Sequence, residues 1–484
     1  MSRTGPTNPR VLFLIPARGG SKGLPGKNLA PVGGIPLVGR AARLGRLAAR
    51  SLGAGSRVVC STDDPRIADT AREWGAEAPF LRPPELASDG ARSIDVAFHA
   101  LEALPDDFDA LVLLQPTSPL TEVDDVLKAI ALHQEGGLPV VSVCPAEHPA
   151  EWLYAIDQAG RLARLLAVAP PDQRQQARQT FRANGAVYVS SPTSLRNHDS
   201  FFGAETRAFV MPNERSVDID SVNDLQAARA WLASRPVQPV KIAGHSIGAA
   251  DRCFVIADGG VNDTGDLRAA RAFVDAAVAS GADAVKFEPA RTGALDEKRH
   301  GELLAHCQAN GIVFLSTPGD ETGADVLDAL GVEAFRMTEA DITNLRLVRH
   351  VAGKHKPVVL AIEQATLPAV SAAVDAMRDA GNRSVVLLRT IDGSADGSDA
   401  SLRGMAPLRD AFGLPAGVSD RTIGDAIPFA AVALGASVIE KPLTLDRARP
   451  GSSHEPSTEA EAFRRMIGGI RAIERAIAAG ERLA

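Results

Sequence analysis

The second half of the chain repeats a strand–helix unit, and this repetition constrains the fold more than any other feature. Eight short runs that read as strands occur there, and segments with helical spacing, such as GDLRAARAFVDAAVASG, separate most of them. Eight such units over about 230 residues predict a closed (β/α)8 TIM barrel with its site at the carboxyl ends of the strands. A second open doubly wound sheet explains the count less well. The candidate strands are 253–258, 284–289, 313–317, 334–338, 357–362, 384–390, 416–420 and 437–442.

The first half predicts a different α/β layer structure. Continuous apolar runs at 11–17, 56–62, 110–116 and 139–145 alternate with helical patterns such as residues 122–134. Buried parallel strands that alternate with helices indicate a doubly wound, Rossmann-like sheet. Ligands of such sheets bind in the loops that follow the carboxyl ends of the strands.

The helical pattern of the first half ends before Pro236 and Pro239, which predict a short, stiff linker near 234–240. We therefore expect one domain at 9–233 and a second at 240–484. A chain of 484 residues suits two or three domains.

The composition excludes several classes of partner. A formal net charge of −7 argues against an electrostatic grip on nucleic acid or an anionic membrane. The four cysteines are widely separated in apolar settings, which is typical of buried thiols in a reducing compartment. Neither a membrane-length apolar run nor the apolar core of a signal peptide is visible. The sequence predicts a cytoplasmic protein.

A loop rich in glycine and cations, IPARGGSKGLPGKN at 15–28, follows the first predicted strand. Glycines let backbone N–H groups approach phosphate oxygens closely, and the cations and a serine hydroxyl add charge and a donor. The spacing is not that of a Walker loop, and a flexible basic turn is the alternative. The buried strand before the loop favours phosphate binding. The residues concerned are Arg18, Gly19, Gly20, Ser21, Lys22, Gly23 and Lys27.

Two aspartates, Asp218 and Asp220, lie two positions apart in ERSVDID. In an extended segment both carboxylates project from one face, an arrangement suited to a Mg²⁺ ion shared with nucleotide phosphates. Alone, such a pair is more often a solvated edge or a helix cap. The phosphate loop favours the metal interpretation.

Residues 9–230 resemble the CMP-N-acylneuraminate cytidylyltransferases. The motifs that carry the resemblance are IPARGGSKGLPGKN, CSTDDPRIA, LRPPELASD, LLQPTSPL, RANGAVYV, SFFG and MPNERSVDID. In that family the anomeric hydroxyl of a nonulosonic acid attacks the α-phosphate of CTP and pyrophosphate is released. The resemblance implies CTP and a nonulosonic acid as substrates, Mg²⁺ as cofactor, and a homodimer or higher homo-oligomer formed by exchange of an arm.

The resemblance also implies roles for individual residues. Arg18, Lys22 and Asp218 are implied as catalytic, with Asp218 helping to activate the hydroxyl, and Asp218 and Asp220 as Mg²⁺ ligands. Thr121 and Gln176 depart from the usual family residues, which leaves the choice of acid open. The implied nucleotide-binding residues are Arg18, Ser21, Lys22, Asn28 and Arg82, and the implied sugar-binding residues are Gln115, Arg174, Asn184, Tyr188, Phe201 and Phe202.

Residues 240–480 resemble the N-acetylneuraminate synthase barrel, which condenses phosphoenolpyruvate with an N-acylated hexose. The motifs include FLSTPGDE, DITNLRLVR, GVSDRTIG and AAVALGASVIEKPLTLDR. Several active-site positions differ. Asp258 and Asp263 stand where the family has glutamate and histidine, Arg336 replaces a lysine, and Asp341 replaces a glutamate, whereas Lys286 and Thr317 are retained.

Two family histidines that the resemblance implies as metal ligands are arginines here, Arg389 and Arg421. A guanidinium has no lone pair for a cation. We therefore expect a barrel without metal-dependent synthase activity, acting as a scaffold. Two alternatives remain: an anionic-ligand site formed by Lys286, Arg336, Arg389 and Arg421, and a retuned phosphoenolpyruvate-dependent synthase in a bifunctional protein. A salt bridge to Asp420 or Asp425 would explain Arg421 alone.

Taken together, these patterns predict a nucleotidyltransferase that makes a CMP-nonulosonate. A cytidylyltransferase for another carboxylated keto-sugar or a phosphonate is the alternative enzyme. A non-catalytic assembly protein is the alternative outside enzymology, and the intact motifs of the first half argue against it.

Overall fold

The computed structural model describes residues 9–166, 173, 175, 177–249, 251–260, 266–288, 296–392, 402–447 and 457–481. The chain divides into two compact units on either side of the Leu232–Ala233 bond. Each unit is described by itself. No helix in these ranges is both long and apolar enough to span a membrane.

The first unit is built on a six-stranded mixed sheet with the order β10-β6-β9-β5-β1-β4. Two small hairpins, β2–β3 and β7–β8, lie outside this sheet. The strands are β1 Val11–Pro16, β2 Pro31–Val32, β3 Ile35–Pro36, β4 Arg57–Ser61, β5 Ala110–Leu114, β6 Val140–Pro145, β7 Tyr154–Ile156, β8 Leu162–Arg164, β9 Phe181–Ser190 and β10 Arg207–Val210. The helices are α1 Leu37–Leu52, α2 Pro65–Glu73, α3 Ser93–Ala103, α4 Val123–Gly136, α5 Pro192–His198 and α6 Val222–Ser234.

Local sequence signals explain where these helices begin and end. Helix α2 begins with Pro65 at its first position, and the side chain of Asp64 accepts a hydrogen bond from the next backbone N–H, that of Arg66. Helix α4 ends at Gly137, which adopts the left-handed conformation. The cap of α2 fixes the loop at the carboxyl end of β4, and Gly137 turns the chain from α4 into β6.

The four predicted strands of the first unit are confirmed as β1, β4, β5 and β6, but the sheet is not wholly parallel. Strand β9 runs antiparallel to both of its neighbours, β5 and β6. Its pairing with β6 shifts register between Val141 and Val143, and Gly185 has a φ of 74°. The Asn-Gly pair in this strand resembles a turn signal in sequence, and here it forms an irregularity inside a strand.

The second unit contains a closed barrel of eight parallel strands, as the repeat predicted. Strands β13 to β20 pair in order, and β20 pairs with β13 to close the ring. The strands are β11 Val240–Ile242, β12 His245–Ile247, β13 Phe254–Asp258, β14 Ala284–Phe287, β15 Val313–Ser316, β16 Ala334–Met337, β17 Val358–Ile362, β18 Val385–Ile391, β19 Ala416–Asp420, β20 Val438–Thr444 and β21 Thr458–Glu459. The helices are α7 Leu267–Ser280, α8 Glu297–Ala309, α9 Glu321–Leu330, α10 Glu339–Thr343, α11 Leu345–Ala352, α12 Leu367–Asp379, α13 Met405–Phe412, α14 Ala426–Ala433 and α15 Ala460–Glu481.

Apolar side chains fill the amino-terminal end of this barrel. Val240, Ile242 and Ile247 of the β11–β12 hairpin are buried in the same cluster as residues such as Phe254 and Val438 at the starts of barrel strands. Charged side chains collect instead at the carboxyl ends, where Asp258 and Asp420 end their strands. The polarity of the barrel therefore matches that of enzymes with this fold.

Candidate active site

The loop that follows β1 borders a cavity of about 480 Å³ at the carboxyl edge of the first sheet. Most of its lining residues lie in the loops that follow β1, α2 and β5, and Ser93 and Val96 of α3 complete its wall. It brings together nine residues that the sequence singled out: Arg18, Ser21, Lys22, Gly23, Lys27, Asn28, Arg82, Gln115 and Asp220.

Two cations of the loop are held by a carboxylate that sequence reasoning did not single out. Asp89 Oδ1 lies 2.8 Å from Arg18 Nη1, and its Oδ2 lies 2.5 Å from Lys22 Nζ. Hydrogen bonds from Lys22 and then Arg18 lower the pKa of Asp89. Asp89 belongs to the quoted LRPPELASD motif, but nothing in its sequence position indicated these partners. A bound phosphate has to compete with this carboxylate for both cations.

Arg82 and Asn28 are fixed by hydrogen bonds to the protein backbone. Arg82 is buried, and its guanidinium donates to the hydroxyl and the carbonyl oxygen of Ser61 at the end of β4. Asn28 is also buried, and its Nδ2 donates to the carbonyl oxygen of Arg18 at 2.8 Å. Asn28 therefore closes the loop on itself, and Arg82 presents a rigid guanidinium edge to the cavity.

The phosphate loop packs directly against the segment that carries the two aspartates. A Cβ added at Gly23 would lie 2.6 Å from the carbonyl oxygen of Asp220, so only glycine fits this contact. Lys27 Nζ lies 2.9 Å from Asp220 Oδ1. The backbone N–H of Ile219 donates to the carbonyl oxygen of Thr117 at 2.8 Å. The loop after β1, the loop after β5 and the aspartate segment therefore form one site.

Asp218 and Asp220 provide a donor set that fits Mg²⁺. Burial raises the pKa of Asp218, and the charge of Asp220 raises it further, although part of the side chain is exposed. Lys27, bound to Asp220, neutralises part of the charge of this pair, and a bound metal ion would neutralise it further. The described residues contain no group of three side chains that could hold a metal ion. Mg²⁺ commonly uses one or two carboxylates together with substrate phosphates, so two suffice.

An aromatic group lies beside Asp218 on the predicted sugar side. The Tyr188 ring is 5.6 Å from the rings of both Phe201 and Phe202. Phe202 is exposed, whereas Phe201 is buried in the core of the unit. Burial, and to a smaller extent the charge of Asp218, raises the pKa of Tyr188.

Gly185 lies between the predicted sugar side and the metal side. A Cβ added at Gly185 would lie 3.6 Å from both Asp218 Oδ2 and Gln115 Nε2. The carboxylate of Asp218 and the amide of Gln115 therefore both lie next to Gly185. Arg174, the predicted carboxylate-binding residue, lies outside the described residues.

Asn184 lies beneath this site rather than on its wall. Its side chain is 1% exposed and makes hydrogen bonds to Ser142 and Ser216. Of the predicted sugar-binding residues that the structure describes, Gln115 reaches the cavity, Tyr188 lies near Asp218, Phe202 contacts Tyr188, and Asn184 and Phe201 are buried.

In the barrel, Lys286 and Arg336 form an inner group with acidic partners. Lys286 Nζ lies 3.3 Å from Asp258 Oδ1 and 2.5 Å from Glu288 Oε1. Arg336 makes two hydrogen bonds, of 3.0 and 2.6 Å, to the carboxylate of Glu440. Burial alone would raise the pKa of Glu440, but Arg336 and then Lys286 lower it to about 2. Separating such a buried pair costs about 3–5 kcal/mol, so Arg336 is poorly available to a ligand.

Arg389 and Arg421 form an outer group at the same end of the barrel. Arg389 Nη1 donates to the carbonyl oxygen of Glu363 at 2.5 Å. Arg421 Nη1 lies 3.5 Å from the Glu363 carboxylate and 3.3 Å from that of Asp392. Asp420 is bound instead by Lys441, at 2.5 Å. Exposed ion pairs like those of Arg421 contribute only about 0–1 kcal/mol, so a ligand displaces them at little cost.

Glu339 and Asp341, the latter a departure from the family, both have structural roles. Oε2 of Glu339 accepts hydrogen bonds from three successive backbone N–H groups after β17, those of residues 363–365. Asp341 caps its own helix by accepting from the backbone and hydroxyl of Thr338. Asp263 lies outside the described residues.

Comparison with known proteins identifies both units. Residues 12–152 match the model of the Cytidylyltransferase family, and residues 288–482 match that of the NeuB family. The chain is 32% identical over 219 residues to the CMP-N,N'-diacetyllegionaminic acid synthase of Legionella pneumophila, which covers 44% of this chain and 93% of that protein. It is 32% identical over 285 residues to the N,N'-diacetyllegionaminic acid synthase of the same organism, which covers 52% of this chain and 79% of that protein. The chain belongs to both families.

A solved structure gives a further match. The N-acetylneuraminic acid synthetase of Leptospira borgpetersenii, in complex with citrate, is 27% identical, with a TM-score of 0.48, and covers 50% of this chain and 91% of that chain. The predicted fusion of a cytidylyltransferase with a synthase-like barrel is confirmed by the two family matches. The first unit is hereafter the cytidylyltransferase unit and the second the NeuB unit.

The contact at Gly23 gives a direct test of the loop. We expect Gly23→Ala to weaken CTP binding at least about tenfold, because a shift of the loop by about 1 Å misplaces its cations. Isothermal titration with CTP measures this on the full chain. Gly136→Ala is the matched control, since its Cβ would meet only Leu138, at 3.9 Å. Equal affinity in the Gly23→Ala variant and the wild type would contradict the packing of the loop described here.

Proposed function

We propose that the cytidylyltransferase unit activates a nonulosonic acid with CTP, with Mg²⁺ as cofactor. The observation that carries this proposal is the single cavity in which Arg18, Lys22, Arg82 and Gln115 meet the aspartate segment. In the reaction, the anomeric oxygen forms a bond to the α-phosphorus of CTP. The bond from that phosphorus to the bridging oxygen breaks, pyrophosphate leaves with the bonding electrons, and the hydroxyl proton passes to a base.

Charge neutralisation is the main task of the nucleotide side. Transfer at phosphorus depends on positioning and electrostatic stabilisation more than on covalent chemistry. Arg18 and Lys22 exchange the Asp89 carboxylate for phosphate oxygens, and Arg82 stays fixed at the end of β4. Magnesium bound at Asp218 and Asp220 would supply further neutralisation of the phosphates.

The acceptor side orients the sugar acid. Gln115 offers an amide to hydroxyl or N-acyl groups, and Tyr188 with Phe202 offers an aromatic face close to Asp218. Asp218 Oδ2 and Gln115 Nε2 both lie beside Gly185, so the carboxylate and the amide can approach the same part of the acid. Two relatives are named for N,N'-diacetyllegionaminic acid, which makes this the first acid to test.

We expect the full chain, incubated with CTP and Mg²⁺, to release pyrophosphate with at least one member of a panel of acids. The panel contains N,N'-diacetyllegionaminic acid, N-acetylneuraminic acid, other carboxylated keto-sugars and a phosphonate. Asp218→Asn should lower the rate at least about a hundredfold, because a carboxylate at the reacting phosphate is lost. Glu461→Gln, on the exposed face of α15, is the control.

Pyrophosphate release is followed with a coupled colorimetric assay, and the CMP-sugar is identified by mass spectrometry. Turnover of an acid outside the nonulosonic class would transfer the proposal to that acceptor. A folded preparation that releases no pyrophosphate with any member of the panel would refute the proposal.

We also propose that the protein is a homodimer held together through the β7–β8 hairpin. Both strands of this hairpin are exposed, and Ile156 and Leu162 are 73% and 70% exposed. An isolated two-stranded hairpin is marginally stable, and clustered apolar side chains of this kind mark contact surfaces. A second copy of the chain is the occupant that agrees with the arm exchange expected from the family.

The double variant Ile156→Asp/Leu162→Asp should weaken self-association at least about tenfold, because each charge must be buried at the interface. Sedimentation equilibrium at micromolar concentration measures the dissociation constant. Val222→Asp, at an exposed apolar position on α6, is the control. A monomeric wild type, or a dimer that the double variant leaves intact, would rule out this interface.

For the NeuB unit we propose a scaffold without metal-dependent synthase chemistry. Arg389 and Arg421 have no lone pairs for a cation, and Lys286 and Arg336 are neutralised by buried or partly buried carboxylates. If an anion binds at this end of the barrel, Arg421 is the cation that leaves its carboxylate partners, Glu363 and Asp392, most easily. Anomalous scattering from crystals of the full chain grown with Mn²⁺ tests this proposal, and an ion bound at the carboxyl ends of the barrel strands would refute it.

A further inference from the structure

The amide of Asn184 is fully occupied inside the protein. Its Oδ1 accepts from Ser142 Oγ at 2.6 Å and from the backbone N–H of Ala186 at 3.2 Å. Its Nδ2 donates to Ser216 Oγ at 2.9 Å and to Met211 Sδ at 3.4 Å. A side-chain amide has two donors and two acceptor sites, so nothing remains for a ligand.

One of these partners belongs to the segment that carries the aspartates. Ser216 is fully buried, and its hydroxyl donates to the carbonyl oxygen of Pro212 at 2.8 Å. Its own carbonyl oxygen accepts from Arg182 Nη2 at 3.2 Å. Arg182 and Asn184 therefore hold Ser216 from strand β9, which adds no regular backbone pairing to this segment.

Asp218 lies between two anchors. Ser216 is held on one side, and Ile219 is fully buried on the other, with its N–H bound to Thr117. Gly185, the residue after Asn184, faces the Asp218 carboxylate. The irregular part of β9 thus fixes the backbone of the aspartate segment and lies directly beside its carboxylate.

We infer that Asn184 is a positioning residue, which acts through Ser216 to hold Asp218 where it can bind Mg²⁺. This inference rests on the proposed function of the cytidylyltransferase unit. It also assigns Asn184 a different role from that of a sugar ligand. Asn184 touches neither the acid nor the nucleotide, and its effect reaches the reaction only through the aspartate segment.

Ser216→Ala tests the inference with little change of volume, and Asn184→Ala is the second variant. We expect the Mg²⁺ concentration for half-maximal rate to rise at least about fivefold in both, because a buried hydrogen bond that orients the carboxylate is lost. The KM for the acid should stay within about twofold, since no contact to the acid changes. Hydrogen exchange of residues 211–220, measured on the full chain without substrates, should become faster.

Ser142→Ala is the matched control. Ser142 is buried and bonds the same amide, but it makes no hydrogen bond to the aspartate segment among those described. We expect it to lower the unfolding temperature as much as Ser216→Ala does, while leaving the Mg²⁺ dependence near that of the wild type.

Two results would overturn the inference. A raised KM for the acid with unchanged Mg²⁺ dependence would make Asn184 a sugar ligand, and equal Mg²⁺ effects in Ser142→Ala would make the network one of general packing. A wild type without turnover refutes the proposed function instead. Exchange at 211–220 still tests the positioning in that case, because it needs no turnover.

Discussion

The contact between Gly23 and the backbone carbonyl of Asp220 joins the two sides of the candidate active site. The phosphate loop and the two aspartates are each weak evidence alone. They form one site because the backbone at Gly23 lies so close to the carbonyl oxygen of Asp220 that no residue larger than glycine fits there. The ion pair between Lys27 and Asp220 strengthens the same junction. The remaining groups of the nucleotide side are placed relative to this contact.

Both units contain cations paired with carboxylates, but these cations differ in how easily a ligand can bind them. In the cytidylyltransferase unit, Arg18 and Lys22 are held by one exposed carboxylate, Asp89, which a ligand can replace at low cost. In the NeuB unit, Arg336 and Lys441 are held by fully buried carboxylates, and their release costs several kcal/mol. Burial therefore decides which cations remain available for function and which support the barrel.

Much of the fold was predictable because its strands are short, apolar and regularly spaced. The eight barrel strands end within about two residues of their predicted bounds, since a buried parallel strand is recognised from its composition alone. The antiparallel strand β9 was not predicted, because its Asn184–Gly185 pair resembles a turn. The cavity gathers the predicted nucleotide-binding residues, because the loops after parallel strands meet at one edge.

The sequence did not predict which side chains pair with one another. Nothing in the motif around Asp89 showed that it would hold two cations, and Arg421 is bound by Asp392 and Glu363 rather than by its neighbours Asp420 and Asp425. Asn184 has the residue type of a sugar ligand. Only the structure shows that it is buried and that its amide makes hydrogen bonds to Ser142 and Ser216. Such contacts join residues far apart in the chain, and no local pattern encodes them.

The location of a bound metal ion tests the central claim most directly, that the chemistry lies in the cytidylyltransferase unit. Crystals of the full chain grown with CTP and Mn²⁺ would show the ion by its anomalous scattering. We expect manganese at Asp218 and Asp220, with the triphosphate on Arg18 and Lys22, and none at the carboxyl ends of the barrel strands. Manganese in the barrel beside Arg389 and Arg421, with none at the two aspartates, would contradict it.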